Sequence, residues 1–364
     1  MKKILFIGMP FDDGKSGISR YIEKTLDLMA KIYSIELVMM KSDYQIIHSR
    51  LNNLYDWKIL GRQNFWKKPV LNILFHWFIL PIYCCFNKYD FVFFPAGNRR
   101  FPFWFPLKTI TMVHDFSHLH IPGKYDFWRH FYVVKILPLF LRRADLIFTP
   151  SESTKIDLEK LCQIGSEKIR VNYLGFNYPK LKITLKEKPS ACLRILYVSR
   201  IEHPGKNHLG LIKAFELLKK NYELDVKLIL VGNDWNGAEE VHQYHAQSNC
   251  NSDIIFKGHL TEDELEEEYS QATIFVFPSF YEGFGLPILE AMVRCVPVIL
   301  SDRGPMKEVG GHAAIFVDPT NEQDLSKNMY LLLTSPEKRN LQIQKGIENI
   351  KRFSWEKHIE NFPN

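Results

Sequence analysis

Two basic and two acidic side chains in the second half of this 364-residue chain are spaced for phosphate and hydroxyl chemistry. Arg200 closes the apolar run 194–199, and Lys206 follows six positions later, beside Gly205 and ahead of a helical pattern over 207–220. Arginine forks to two phosphate oxygens while lysine acts as a mobile point charge. A strand end followed by a helix start puts both cations at the ligand-facing edge of a parallel sheet. Glu282 and Glu290 flank a second such junction, with an apolar strand pattern over 273–277, a loop carrying Gly283 and Gly285, and Pro287 suited to the first helical position. The two glycines let backbone N–H groups face a ligand closely, and the helix start behind them favours an anion. Acceptor carboxylates around an anion-binding loop suit a ligand that carries both hydroxyls and phosphate, as a nucleotide sugar does.

The stretch 278–290, PSFYEGFGLPILE, resembles the Glu-x7-Glu signature of the retaining glycosyltransferases of family 4. Three other segments resemble that family in the same order: GKSGISRY at 14–21 its glycine loop, TMVHD at 111–115 its central His-Asp segment, and Ser199-Arg200 with Gly205-Lys206-Asn207 its Arg-x5-Lys pair. Ser16 stands where many relatives carry a second glycine. The resemblance spans nearly the whole chain and implies the GT-B fold, two Rossmann-like parallel α/β domains facing an interdomain cleft. It also implies retaining, metal-independent transfer of a hexose or deoxyhexose from a nucleotide diphosphate sugar to an acceptor hydroxyl, without a resident cofactor. GDP-mannose, UDP-hexoses and dTDP-rhamnose all fit as donors, and a glycan or lipid-linked oligosaccharide of bacterial surface-polysaccharide assembly fits as acceptor.

Each candidate residue has a plainer reading beside the functional one. Arg200 and Lys206 would neutralise the departing diphosphate, or would be solvated surface cations. By resemblance Glu290 takes the ribose hydroxyls and Glu282 the donor sugar; the alternatives are a helix-dipole partner and a loop carboxylate. Gly283, Phe284, Gly285 and Leu286 would supply the anion-binding backbone between them. His114 follows an apolar strand and, in the resembling family, approaches the reaction centre; a structural histidine is the alternative. Asp115 would join it, or cap the next turn. His118 and His120 suggest metal ligands with His114, but no carboxylate-rich metal pattern accompanies them. Gly17 and Arg20 would face the donor phosphate or the acceptor, since a cation in a first helical turn opposes the dipole. Gly232 and Lys257-Gly258 stand at strand ends that would border the base, where turns also explain glycine.

The formal charge of +6 hides an asymmetry: residues 1–180 hold 26 Lys and Arg against 15 Asp and Glu, whereas the remainder holds 21 against 26. The basic half therefore expects an anionic partner. No nucleic-acid motif accompanies the charge, which argues against nucleic acid. An anionic membrane surface fits better, because Trp57-Lys58, Arg62 and 65–68 interleave aromatic and basic residues. The apolar run 69–86 is interrupted by Asn72, His76 and Pro81 and reads as a core or interfacial helix rather than a span. Six cysteines without metal-ligand spacing, and no export signal, point to a reduced cytoplasmic setting, peripheral at the inner face of the cell membrane.

The elements that must position these residues alternate strand and helix in both halves, which predicts two parallel α/β domains. Strands are expected at 4–8, 36–40, 91–94, 110–113 and 145–149, then at 194–199, 226–231, 253–256 and 273–277. The boundaries follow as an acceptor-binding domain at 1–178, a nucleotide-sugar-binding domain at 179–350, and a terminal helix at 351–364 that, by resemblance, crosses back to the first. The less patterned stretch 175–190 serves as linker. Rival classes are a sugar-nucleotide epimerase or phosphorylase on the same fold, and a non-catalytic nucleotide-sugar or membrane-surface binding protein.

Overall fold

Phe91–Phe94 and Ile274–Phe277 are buried at every position, with no alternation of inside and outside. Strands of that kind lie in parallel sheets covered on both faces. The computed structural model describes residues 1–12, 16–51, 58–62, 68–121, 127–176 and 192–363, with the backbone alone at 58–62, 69 and 118. It contains two such sheets.

The first sheet comprises β1 (Lys3–Ile7), β2 (Ser34–Met40), β3 (Lys58–Arg62), β4 (Phe91–Phe94), β5 (Thr109–Met112), β6 (Leu146–Thr149) and β7 (Ile169–Val171). Its order is β3-β2-β1-β4-β5-β6-β7, parallel throughout. The second comprises β8 (Leu193–Val198), β9 (Val226–Val231), β10 (Ile254–Gly258), β11 (Ile274–Phe277), β12 (Val298–Ser301) and β13 (Ala314–Val317). Its order is β10-β9-β8-β11-β12-β13, again parallel. Strand order reverses between β1 and β4 in one sheet and between β8 and β11 in the other. Open α/β sheets form ligand crevices outside the carboxyl ends of strands at such points.

One compact unit takes Met1–Leu119, Tyr125–Gly175 and Trp355–Asn364; the other takes His120–Lys124 and Phe176–Ser354. The terminal residues belong to the first unit for a packing reason. Phe362 sets its ring 4.9 Å from that of Phe93 on β4 and 4.8 Å from that of Phe148 on β6. Burying a phenylalanine stabilises by about 1.5–3 kcal/mol. Trp355 lies so close to Gly175 that a Cβ there would come within 2.3 Å of the indole.

The apolar run 69–86 forms helix Pro69–Leu74, a π turn Phe75–Ile79 and helix Leu80–Cys85. Phe75, Leu80 and Cys84 enter the core while Val70, Phe78 and Ile82 face out. Among the described residues no helix is long and apolar enough to cross a membrane. In the aromatic-basic stretch, Lys58–Arg62 is an edge strand paired with β2, which the sequence reading did not anticipate. Trp57, 65–67, Gly14, Lys15 and most of the 175–190 linker lie outside the described residues, as does the side chain of His118.

Candidate active site

In the second unit, β8 and β11 run directly into the residues of interest. The Tyr197 hydroxyl near the end of β8 donates to the Lys206 carbonyl at 2.7 Å and pairs with Ser279 Oγ at 3.1 Å. The Phe280 N–H donates to the Gly205 carbonyl at 3.0 Å. Asn207, left-handed at φ 56°, donates from Nδ2 to the carbonyls of Pro278 (3.3 Å) and Pro319 (2.7 Å). These bonds tie the loop after β8 to the loop after β11. Lys206 Nζ and Glu282 Oε1 consequently meet at 2.5 Å, with side chains only 12% and 16% exposed. A Cβ on Gly205 would lie 2.7 Å from Ile121 Cδ1, the end of a flexible side chain.

Arg200 is held more loosely. Its guanidinium lies 4.9 Å from the centroid of the Trp235 ring and 3.3 Å from Glu202, and about half of the side chain is exposed. Glu202 is only 5% exposed, so a phosphate would compete with a buried carboxylate for the half-exposed guanidinium.

Gly285 adopts φ 98° and caps the helix Leu286–Val293, so Pro287 occupies the second helical position rather than the expected first. Glu290 is the fifth residue, beyond the first turn where the dipole acts, so dipole complementarity does not account for it. Its Oε2 instead accepts from the Tyr269 hydroxyl at 3.0 Å. Burial pushes the Tyr269 phenol well above its ordinary range, which keeps it a donor. Gly283 and Leu286 are half-buried, whereas Phe284 packs its ring on Phe353 and leaves only its backbone for a ligand.

At the neighbouring strand ends, a Cβ on Gly232 would sit 2.1 Å from the Ser199 carbonyl oxygen, and φ is 146°. Gly258 is left-handed at φ 65° beside open space. Lys257 is drawn to Glu268 at 3.4 Å, which also holds Arg194. The His120 ring stacks on Tyr281 at 4.1 Å.

In the first unit, Ser16 supplies the N-cap of the helix Gly17–Met29, its Oγ accepting from the Ser19 N–H. The departure from glycine thus has a structural use, since Ser16 takes an ordinary extended φ of −113°. A Cβ on Gly17 would meet nothing within 4 Å, and Arg20 is exposed in the first turn. Asp12 accepts from the Ser16 N–H (3.1 Å) and Ser19 Oγ (2.5 Å), and Arg99 lies 3.5 Å from its carboxylate. Burial raises its pKa, but the hydrogen bonds from Ser19 and Ser16 and the charge of Arg99 together hold the carboxyl below its usual range.

His114 is buried, and that burial lowers its pKa to about 4. Nε2 donates to the Pro95 carbonyl at 2.8 Å, which leaves Nδ1 as an acceptor. Tyr21 packs edge-on against His114 at 4.8 Å and joins its hydroxyl to His358 Nε2 at 3.0 Å. His358 Nδ1 donates to the Tyr173 carbonyl at 2.8 Å, which fixes its tautomer so that Nε2 accepts from Tyr21. Asp115 accepts from the N–H (3.1 Å) and hydroxyl (2.8 Å) of Ser117, the turn-capping geometry. Among the described residues no group of three His, Cys, Asp or Glu side chains is placed to hold a metal ion.

The second unit therefore pairs Lys206 with Glu282 beside the glycine loop and carries Arg200 in the loop after β8 and Glu290 in the helix Leu286–Val293, while His114, Asp115, Gly17 and Arg20 belong to the first. Sequence reasoning missed Tyr269, Trp235, Asp12, Arg99, Tyr21 and His358. Of these only Asp12, four residues before a serine N-cap, left a local signal.

Residues 184–349 match the family described as glycosyl transferases, group 1, and residues 58–178 match glycosyltransferase family 4. The chain is 30% identical over 263 residues to O-antigen chain mannosyltransferase B of Escherichia coli, covering 68% of this chain and 67% of that one. It is 31% identical over 216 residues to the O-antigen chain mannosyltransferase RfbU of Salmonella typhimurium, covering 59% and 58%. The chain thus spans between about half and two thirds of the length of these relatives. In fold it is similar to sucrose-phosphate synthase from Thermosynechococcus elongatus, with a TM-score of 0.73 at 18% identity over 99% of this chain and 97% of that one.

Proposed function

The chain belongs to the group 1 and family 4 glycosyltransferases, and from that premise we propose that it is a retaining, metal-independent hexosyltransferase of surface-polysaccharide assembly, using a nucleotide diphosphate sugar. The observation that carries the reading is the pairing of Lys206 with Glu282, with Arg200 in the same loop after β8 as Lys206, at the reversal of strand order between β8 and β11.

In the proposed reaction the acceptor oxygen forms a bond to the anomeric carbon as the bond from that carbon to the phosphate oxygen breaks. The electron pair leaves with the diphosphate, and the acceptor proton passes to a departing phosphate oxygen on the same face of the sugar. No protein nucleophile is needed. Arg200 and Lys206 stabilise the charge that develops on the leaving group. Arrival of the diphosphate draws Lys206 away from Glu282, whose carboxylate then accepts from sugar hydroxyls. Glu290, oriented by Tyr269, takes the ribose hydroxyls, and the backbone of 283–286 faces the phosphate. Gly232, Lys257 and Gly258 border the base. His114, neutral at physiological pH, serves the donor sugar as a hydrogen-bond partner and not as a cation. Arg20, Gly17, Asp115 and His118 belong to the acceptor or phosphate side.

Similarity to O-antigen mannosyltransferases supports a mannosyl or related hexosyl donor and a lipid-linked oligosaccharide acceptor. The basic first half supports work at the anionic inner face of the cell membrane. The test is a donor panel of GDP-mannose, UDP-hexoses and dTDP-rhamnose with purified protein and a lipid-linked acceptor, read as nucleoside diphosphate release. Release with one donor, matched by a glycosylated acceptor, is expected; a sugar nucleotide converted to its epimer without release would favour the epimerase reading instead.

A further inference from the structure

Sixteen large hydrophobic side chains are markedly exposed among the described residues, and ten of them lie on two neighbouring helical segments of the first unit or at their ends. One segment, 69–86, presents Val70, Leu74, Phe78, Ile79, Ile82 and Phe86; the other, 127–141, presents Phe127, Trp128, Phe131 and Leu139. Exposure reaches 84% at Phe86 and 77% at Trp128. On the first segment the outward residues 70, 74, 78, 82 and 86 are four apart. Such a row drifts around a regular α-helix, and the wider π turn over Phe75–Ile79 winds it back towards one face. The second segment carries a π turn too, Tyr132–Ile136. The two segments touch through Trp77 and Phe140, ring centroids 5.4 Å apart, and Phe103 packs against Trp77, Phe78 and Phe140.

Charge says what covers this surface. Residues 69–88 and 127–143 hold five lysines and arginines and not one aspartate or glutamate. Lys88, Arg129, Lys135 and Arg143 are exposed. A second copy of the chain meeting this surface face to face would set cation against cation. Apolar and aromatic side chains rimmed by basic ones instead match an interfacial layer of anionic lipid.

We propose that the paired helices 69–85 and 127–141 form an insertion surface that seats the first unit in the headgroup layer of an anionic bilayer, with Phe86, Trp128 and their neighbours entering the acyl boundary. This deepens the membrane-surface reading above by assigning the contact to a folded, described surface, distinct from the aromatic-basic stretch 57–68. Binding then has an apolar component that salt does not screen, as well as an ionic one that it does.

The test uses the full chain and vesicles of phosphatidylcholine with phosphatidylglycerol. The combined variant Ile82→Ser, Phe86→Ser, Phe127→Ser, Trp128→Ser alters only exposed side chains. It should lose vesicle partitioning by about tenfold or more, with nucleotide binding unchanged. In the otherwise wild-type chain, brominated acyl chains should quench the part of the tryptophan emission that Trp128→Phe removes. Partitioning unchanged in the fourfold variant, no quenching assignable to Trp128, binding abolished only by changes in 57–68, or a dimer that the fourfold variant dissociates would each overturn the proposal. Vesicle binding and nucleoside diphosphate release are separate readouts. No vesicle binding by the wild-type chain refutes this surface and leaves the catalytic reading standing, whereas no nucleoside diphosphate release refutes the catalytic reading and leaves this surface standing.

Discussion

Lys206 and Glu282 stand 76 residues apart in sequence and share an ion pair of 2.5 Å in which neither side chain is more than 16% exposed. On the proposed reading, the pair neutralises the cation that a bound diphosphate would need. A ligand phosphate must therefore compete with Glu282 for Lys206, and the competition separates the roles of the two glutamates.

Glu282→Gln removes the competitor, so free nucleoside diphosphate should bind at least as tightly as to wild type while sugar transfer falls. Glu290→Gln should weaken nucleoside diphosphate binding by about tenfold, the scale of a charge-assisted hydrogen bond. Tyr269→Phe should weaken it by a smaller factor, because the carboxylate remains and only its orientation is lost. Calorimetric titration of the three variants checks the order, and equal affinity for wild type and the Glu290 variant would remove the ribose assignment.

Acid should destabilise the first unit well above the usual carboxylate range. Burial lowers the pKa values of His76, His114 and His358 to about 4 each. The unfolded chain takes up these protons as pH falls through about 6.5, while the folded chain resists until about 4. The stability they contribute is thus complete above pH 6.5 and is lost on descending towards 4, on the order of 1.4 kcal/mol per pH unit for each histidine. Denaturant unfolding at pH 7.5 and pH 5 measures the slope, and His358→Gln should reduce it. A stability independent of pH across that window would contradict the assignment of neutral, buried imidazoles.

Transfer should survive exhaustive chelation, because two cationic side chains and the backbone of 283–286 are assigned the neutralising role. Activity abolished by chelator and restored by magnesium or manganese would show that the leaving group is neutralised by a metal instead.

The parallel α/β architecture was legible from the apolar strand runs, because strands buried on both faces, such as Phe91–Phe94, announce themselves by composition. The placement of Arg200, Lys206, Glu282, Gly283 and Gly285 in the loops after such strands was legible too, since each follows an apolar run within eight residues. The edge strand Lys58–Arg62 was not legible: its mixed charged and apolar residues are typical of a strand paired on one side only. Nor were Tyr269 beside Glu290, Trp235 beneath Arg200, or Tyr21 against His114 and His358. Each meets its partner only after the chain has folded, and Tyr21 and His358 are 337 residues apart. The dipole reading of Glu290 failed for a local reason, because the left-handed Gly285 starts the helix at Leu286 and leaves the glutamate a full turn inside.

The central claim is that Arg200 and Lys206 stabilise a departing diphosphate, and single-turnover nucleoside diphosphate release tests it most directly. With the donor that supports turnover, Arg200→Ala and Lys206→Ala should each slow release by about 10²–10³, corresponding to about 3–4 kcal/mol of lost stabilisation. Near-wild-type release by both single variants would contradict the account.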